Sequence, residues 1–161
     1  MKIGVISDTH LTSVDSRFAQ MIRRHFGDVD AVIHAGDMVE ESVFEFLSEW
    51  RLLAVLGNMD RGALTEMLPR RRVERLGGKR IGITHGWGSP EGLAGRVREE
   101  FLADSVDCVV FGHSHAPHLS NEDGVLLLNP GSPTDKRWAK TNTIGFLTIT
   151  ENGIAGEIQE I

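Results

Sequence analysis

Short apolar runs alternate along the chain with stretches whose apolar residues recur at helical spacing. The runs cover residues 2–7, 31–36, 52–57, 80–84, 107–112 and 125–128, all rich in Val, Ile and Leu and too short for independent helices. They predict buried strands. Between the first two, Val14, Phe18, Met21, Ile22 and Phe26 share one face of a helix that Gly27 can end. Val43, Phe46, Leu47 and Trp50 repeat the pattern after the second run. A third helix is predicted to start at Ser89-Pro90, a cap followed by a first-turn proline, with Leu93, Val97 and Phe101 on its buried side. Thr143–Thr150 and residues 154–161, joined by Glu151-Asn152-Gly153, predict a terminal hairpin. Alternating strands and helices place the chain in the α/β class.

A chain of 161 residues predicts one domain spanning 1–161, since domains usually run to about 100–200 residues. Its size allows a core without disulfides or a structural metal. Apolar residues at 40% and charged residues at 25% exclude disordered, collagen-like and membrane-spanning classes. Lys and Arg number 17 against 23 Asp and Glu, a formal charge of −6, which argues against duplex nucleic acid as a partner. A single Cys108 inside an apolar strand reads as packing. The opening MKIGVIS reads as a strand rather than a signal peptide, so a cytoplasmic location is expected.

The informative residues stand where the apolar runs end. Asp8-Thr9-His10, Asp37, Asn58, His85 and His113-Ser114-His115 each follow a run. In an open α/β sheet the ligand crevice lies beyond the carboxyl ends of the strands, so these side chains are expected to converge. The two-residue spacing within Asp8/His10 and within His113/His115 would, in extended backbone, put each pair on one face. Four imidazoles, two carboxylates and one amide oxygen form a mixed N/O set suited to transition metals. Seven donors exceed the needs of one catalytic ion with open positions and suit two ions sharing a bridging carboxylate.

In order and separation, Asp8-Thr9-His10, Gly36-Asp37, Gly57-Asn58, His85-Gly86 and Gly112-His113-Ser114-His115 resemble the calcineurin-like metallophosphoesterases. The likeness is to their small single-domain bacterial and archaeal phosphodiesterase branch, and it runs nearly the whole chain, through Asn129-Pro130-Gly131-Ser132. It implies a two-layered β-sandwich flanked by helices, a four-layer α-β-β-α arrangement. It also implies a binuclear centre. Asp8, His10, Asp37 and His115 would hold one ion; Asp37, Asn58, His85 and His113 would hold the other, with Asp37 bridging. The activity implied is phosphodiester hydrolysis by in-line attack of a hydroxide bridging two divalent ions, with Asp37, Asn58 and His85 acting through metal and phosphate positioning. Manganese is the first candidate ion, with nickel, iron, zinc, cobalt and magnesium compatible. The expected partner is a small phosphodiester, with no membrane involved; the oligomeric state is not readable. The alternative is a non-catalytic scaffold of the same fold, as in the retromer subunit that resembles this family. A nuclease or a phosphomonoesterase is weaker still.

One position departs from the family. Many members read Gly-Asn-His before an acidic residue, where this chain has Gly57-Asn58-Met59-Asp60. That histidine commonly protonates the leaving group, and a thioether has no proton to give. Asp60 remains to orient a neighbour. His34, in the second run, reads as a core histidine or as a proton donor behind the ligands, and His118, on a loop beside Pro117, as a second weak donor candidate. Asn58, Trp87, Asn129 and Arg137 are the substrate-binding candidates, and Arg70-Arg71-Arg72 reads as a solvated turn after Pro69.

Overall fold

The computed structural model describes all residues from Met1 to Ile161. Its first half contains β1 (Lys2–Ile6), α1 (Ser16–Phe26), β2 (Ala31–His34), α2 (Glu41–Leu47), β3 (Leu52–Ala54), α3 (Leu64–Met67), β4 (Arg71–Leu76) and β5 (Lys79–Thr84). The second adds α4 (Leu93–Glu100), a 3₁₀ turn (Leu102–Asp104), β6 (Cys108–Val110), β7 (His118–Glu122), β8 (Val125–Asn129), β9 (Thr143–Thr150) and β10 (Gly153–Glu160).

The strands form two five-stranded mixed sheets, ordered β10-β9-β1-β2-β3 and β4-β5-β6-β8-β7. In the first, β1 runs parallel to β2 and antiparallel to β9, with Ile3 facing Ala31 on one side and Leu147 on the other. In the second, β6 lies between parallel neighbours β5 and β8. Both sheets are covered on both faces, which is why their central strands are continuous apolar runs rather than alternating ones. Ile3, Val5, Ile33, Ile83, Val110 and Leu128 fill the space between the sheets. Outside the first sheet, Phe18, Ile22 and Phe26 of α1 and Val43 and Leu47 of α2 pack on Ile6 and Val32. Outside the second, Leu93 and Val97 of α4, with Phe101, pack on Val109 and Leu127. Each such side chain contributes about 1.5–3 kcal/mol on burial. The layers are therefore α-β-β-α, as the resemblance implies.

Asp15 caps α1, accepting from Phe18 N at 2.8 Å, which is worth about 1 kcal/mol. The terminal hairpin forms as the alternation predicts. Helix α4 begins at Leu93 rather than at Ser89-Pro90, because left-handed Gly92 (φ 68°) separates the proline turn from the helix. Ser89 caps only that turn, through Glu91 N at 3.3 Å.

Two strands have no counterpart among the apolar runs. Arg71 and Arg72 belong to β4, paired antiparallel with β5, not to a solvated turn. His118 likewise opens β7, paired with β8, rather than sitting in a loop. Both are edge strands, where charged and polar side chains protect an open edge and erase the apolar signal. No helix is long and apolar enough to cross a membrane.

Candidate metal centre

The carboxyl ends of β1, β2, β3, β5 and β6 meet at one place. Asp8 and His10 follow β1, Asp37 follows β2, Asn58 follows β3, His85 follows β5, and His113 and His115 follow β6. Asp37 Oδ2 lies 3.5 Å from His10 Nε2 and 3.4 Å from His85 Nε2, nearly midway between them. Asp8 Oδ1 is 3.4 Å from His115 Nε2, 3.9 Å from His10 Nε2 and 4.0 Å from His85 Nε2. Asn58 Oδ1 is 3.1 Å from both His85 Nε2 and His113 Nδ1. Two donor clusters result, Asp8 with His10 and His115, and Asp8 with Asp37 and His85. Asn58 and His113 adjoin the second.

Convergence does not come from extended backbone. Asp8, His10, Asp37, His113 and His115 all have left-handed backbone, with φ of 54°, 48°, 58°, 72° and 57°. The chain turns sharply at each donor as it leaves its strand, so the two-residue spacing works through tight turns and not through the pleat of a strand. Each such residue stores about 1–3 kcal/mol of strain. Cross-loop bonds hold it: Asp8 N to Gly36 O and His10 N to Asp37 O, both at 3.0 Å. Asp60 does the same from below, its buried carboxylate accepting from Asp37 N at 3.1 Å, Gly57 N at 2.6 Å and Val39 N at 2.7 Å. A side chain at Gly57 would overlap the Asp37 carboxylate, and one at Gly112 would overlap Ser7 Oγ, so both positions require glycine.

The histidines are oriented by backbone carbonyls. His85 Nδ1 donates to Ala35 O at 2.8 Å, His113 Nε2 to Gly88 O at 2.8 Å, and His115 Nδ1 to Asp135 O. In each case the other ring nitrogen is left as an acceptor facing the cluster, the arrangement that metal-ligating histidines adopt. His10 Nε2 and His115 Nε2 face each other at 3.2 Å across stacked rings. Asp8 Oδ2 accepts from Ser7 Oγ and His113 N at 2.7 and 2.9 Å, whereas Asp8 Oδ1 is buried without any hydrogen-bond partner. An unpartnered buried carboxylate oxygen beside converging imidazole nitrogens is costly unless a cation lies among them. The donor set fits a binuclear divalent metal centre.

Burial dominates the electrostatics. It raises Asp8 to about 6, against the opposing pull of His85 and the Ser7 hydroxyl. Burial also pushes Asp37 upward, but His85, the Met59 N–H and His10 together outweigh it and hold the carboxyl below its usual range. For His85, burial lowers the pKa, yet Asp37, Asp8 and the Ala35 carbonyl prevail and raise it. Burial lowers both His10 and His115, and Arg137 adds to it. The Asp37–His85 pair is thus held toward its charged forms, while burial disfavours charge on Asp8, His10 and His115.

The remaining candidates separate. Arg137 stands near enough to His10 and His115 to act on both electrostatically, its Nε 3.6 Å from Asp135 Oδ2. Trp87 is half-exposed and lines a cavity shared with Asn58, His85 and His113. Asn129, expected to meet phosphate, does not: it is fully buried, its Nδ2 donating to Gly112 O and Ser114 Oγ and its Oδ1 accepting from Gly131 N. It braces the loop that carries His113. His34 is no proton donor, being fully buried, neutral with its pKa pushed to about 4 by burial, and bound to Thr9 Oγ1 at 3.2 Å. His118 points its Nε2 to Ser120 Oγ at 2.8 Å and packs beside Phe111. Glu100 and Arg70, which line the Trp87 cavity, carry no signal in the sequence, because only long-range packing brings them there.

Residues 1–152 match the calcineurin-like phosphoesterase superfamily domain. The chain belongs to this superfamily. It is 38% identical over 141 residues to a probable metallophosphoesterase of Methanothermobacter thermautotrophicus, an alignment covering 85% of this chain and 80% of that protein. Among solved structures, an archaeal phosphodiesterase superposes with a TM-score of 0.75 at 25% identity, over 99% of this chain and all (100%) of that one. Vps29 of Chaetomium thermophilum shares the fold, with a TM-score of 0.75 at 19% identity, over 100% of this chain and 97% of that one.

Proposed function

We propose that this phosphoesterase hydrolyses small phosphodiesters with two divalent ions, manganese first among them. Asp8, His10, Asp37 and His115 would hold one, and Asp37, Asn58, His85 and His113 the other. The carrying observation is the set of imidazole nitrogens turned by backbone carbonyls toward Asp8, Asp37 and the Asn58 amide oxygen. Bound ions of this kind lower the pKa of a nucleophilic water and neutralise phosphate oxygens. The chain's residues do the rest. Asp37, midway between His10 and His85, joins the two halves of the site. Asn58, with its Oδ1 turned to the histidines, leaves its Nδ2 to donate to a phosphate oxygen. Arg137 offers a guanidinium near His10 and His115, and Trp87 lines the cavity beside Asn58, His85 and His113. We further take residues 1–161 as one domain acting in the cytoplasm, with the net charge of −6 disfavouring duplex nucleic acid.

No imidazole or carboxyl stands ready to protonate a leaving group. Met59 occupies the family's proton-donor position, 51% exposed beside Asn58, and its backbone N donates to Asp37 Oδ1 at 2.7 Å. Diesters with acidic, phenol-type leaving groups are therefore the preferred substrates. After chelator treatment, hydrolysis of bis-p-nitrophenyl phosphate should vanish, and manganese should restore it as the metal content approaches two equivalents. A protein that holds two ions yet cleaves nothing in a broad panel of phosphate esters would instead be a scaffold of this fold.

Met59→His should raise turnover of esters with basic alkoxide leaving groups by up to about 10²-fold, the lower range of general acid catalysis. Phenol esters leave as stable anions and should barely respond. Equal gains on both classes, at unchanged metal content, would show that residue 59 does not reach the leaving oxygen.

A further inference from the structure

Three of the proposed ligand imidazoles are aimed by a backbone carbonyl, and those carbonyls are secured in different ways. Ala35 O, which orients His85, directly follows β2, where Ala35 N donates to Ile6 O at 2.9 Å. Asp135 O, which orients His115, lies in a turn that Ser132 Oγ holds by accepting from Asp135 N at 2.8 Å. Gly88 O, which orients His113, lacks such support. From Gly86 to Ser89 no backbone N–H or carbonyl bonds another backbone group. Gly86, Gly88 and Gly92 are all left-handed, with φ of 92°, 80° and 68°, so ordering this segment carries the high entropic cost of glycine.

One side chain closes this gap. Arg96 reaches back from α4, its Nη2 donating to Trp87 O at 3.0 Å and to Ser89 O, and its Nη1 to Glu91 O at 2.8 Å. The guanidinium thus grips the carbonyls on both sides of Gly88. A Cβ built on Gly88 would lie 3.6 Å from Nη2, which places the guanidinium directly against the bend. Arginine suits this task because its donors form a rigid planar fork that can serve several acceptors at once.

The consequence falls on His113. Its ring stands between two acceptors, Gly88 O at 2.8 Å from Nε2 and Asn58 Oδ1 at 3.1 Å from Nδ1. A neutral imidazole has one N–H to give. With the proton on Nε2, the ring donates to Gly88 O and the lone pair of Nδ1 faces the centre beside Asn58 Oδ1. With the proton on Nδ1, the ring donates to Asn58 Oδ1 and its lone pair is turned away from the centre. The second form requires Gly88 O to move, since two lone pairs would otherwise face each other at 2.8 Å. Arg96 opposes that movement.

We propose that Arg96 is a positioning residue for the metal centre: by clamping the carbonyls around Gly88 it fixes His113 in its Nε2–H form and keeps Nδ1 available to the ion assigned to Asn58 and His113. The proposal rests on the binuclear reading above and adds the residue that controls one of the two ions. Arg96 itself touches neither ion nor substrate in this role; it acts through the Gly88 carbonyl alone.

Arg96→Met keeps most of the aliphatic stem and removes every donor. Calorimetric titration of the metal-free variant with manganese should show one ion bound as in the wild type and the other about 10- to 100-fold more weakly, the usual cost of losing a group that orients a metal-binding histidine. Arg98→Met, which breaks the pair with Asp123 on the same helix, should leave both ions unchanged. Unchanged affinities in Arg96→Met overturn the proposal, and so does an equal weakening of both ions. Should the methionine variant not fold, Arg96→Lys, which keeps the charge but not the fork, should change the affinities in the same direction. A second measurement needs no metal and separates this proposal from the binuclear reading. In ¹⁵N spectra of the metal-free protein at about pH 8.5, above the ordinary histidine range, His113 should show the Nε2–H tautomer in the wild type and a mixture of both tautomers in the variant. That change supports the positioning role even in a protein that fails to hold two ions, and the same tautomer in both proteins overturns it.

Discussion

Asp37→Ala should reduce hydrolysis of bis-p-nitrophenyl phosphate by about 10³-fold or more, the upper range for losing one preorganised electrostatic stabiliser. The reason is geometric. Asp37 Oδ2 lies 3.5 Å from His10 Nε2 and 3.4 Å from His85 Nε2, nearer to both than Asp8 Oδ1 at 3.9 and 4.0 Å, so its removal should weaken both halves of the proposed centre. Elemental analysis after reconstitution with manganese should fall from about two equivalents toward none, since Asp37 is assigned to both ions. His115→Ala and Asn58→Ala, each assigned to one ion, should leave about one equivalent. Retention of two ions by Asp37→Ala would remove its bridging role. The variant also leaves Met59 N without its acceptor and puts alanine on the left-handed backbone at residue 37, so unchanged thermal stability would show that the effect is not unfolding.

Asp8→Asn should stabilise the metal-free protein above pH 6 while weakening metal binding. The folded Asp8 carboxyl titrates at about 6 against 3.8 in the unfolded chain, because burial disfavours its charge. Between those values the folded state binds more protons, so this group's contribution to stability is present below about pH 4 and is lost as pH rises to about 6. His34 acts in the opposite sense. Its pKa falls from 6.5 to about 4 on folding, which adds stability as pH rises through that interval. The variant removes the Asp8 contribution, so chemical denaturation in chelator should show the difference between variant and wild type growing from near zero at about pH 4 to about 1–3 kcal/mol above about pH 6. The new amide can also donate where Asp8 Oδ1 now stands unpartnered, 3.4 Å from His115 Nε2. Manganese should reverse the order, stabilising the wild type through binding to the native state while leaving the variant nearly unchanged. A variant less stable than the wild type in chelator at pH 7 would show that the Asp8 charge is already compensated without metal.

The alternation of apolar runs and helical faces determined, by itself, the α/β class, the central strands and the strand ends at which Asp8, Asp37, Asn58, His85 and His113 stand. These are local properties. A buried strand must be apolar along its length, and a helix must show one apolar face, whatever lies beyond them. The edge strands β4 and β7 obey a different demand, protection of an open edge, and so carried no apolar signature. Tertiary structure alone decided the chemistry of the individual side chains. Asn129, a residue of phosphate-binding type, is consumed by Gly112, Ser114 and Gly131, and His34 is sealed behind Thr9. The left-handed turns, the carbonyls of Ala35, Gly88 and Asp135 that aim the histidines, and the unpartnered oxygen of Asp8 all depend on contacts between distant segments. A residue's type sets which bonds it can make; which of them remain open to an ion or a substrate is settled only when its neighbours have taken theirs.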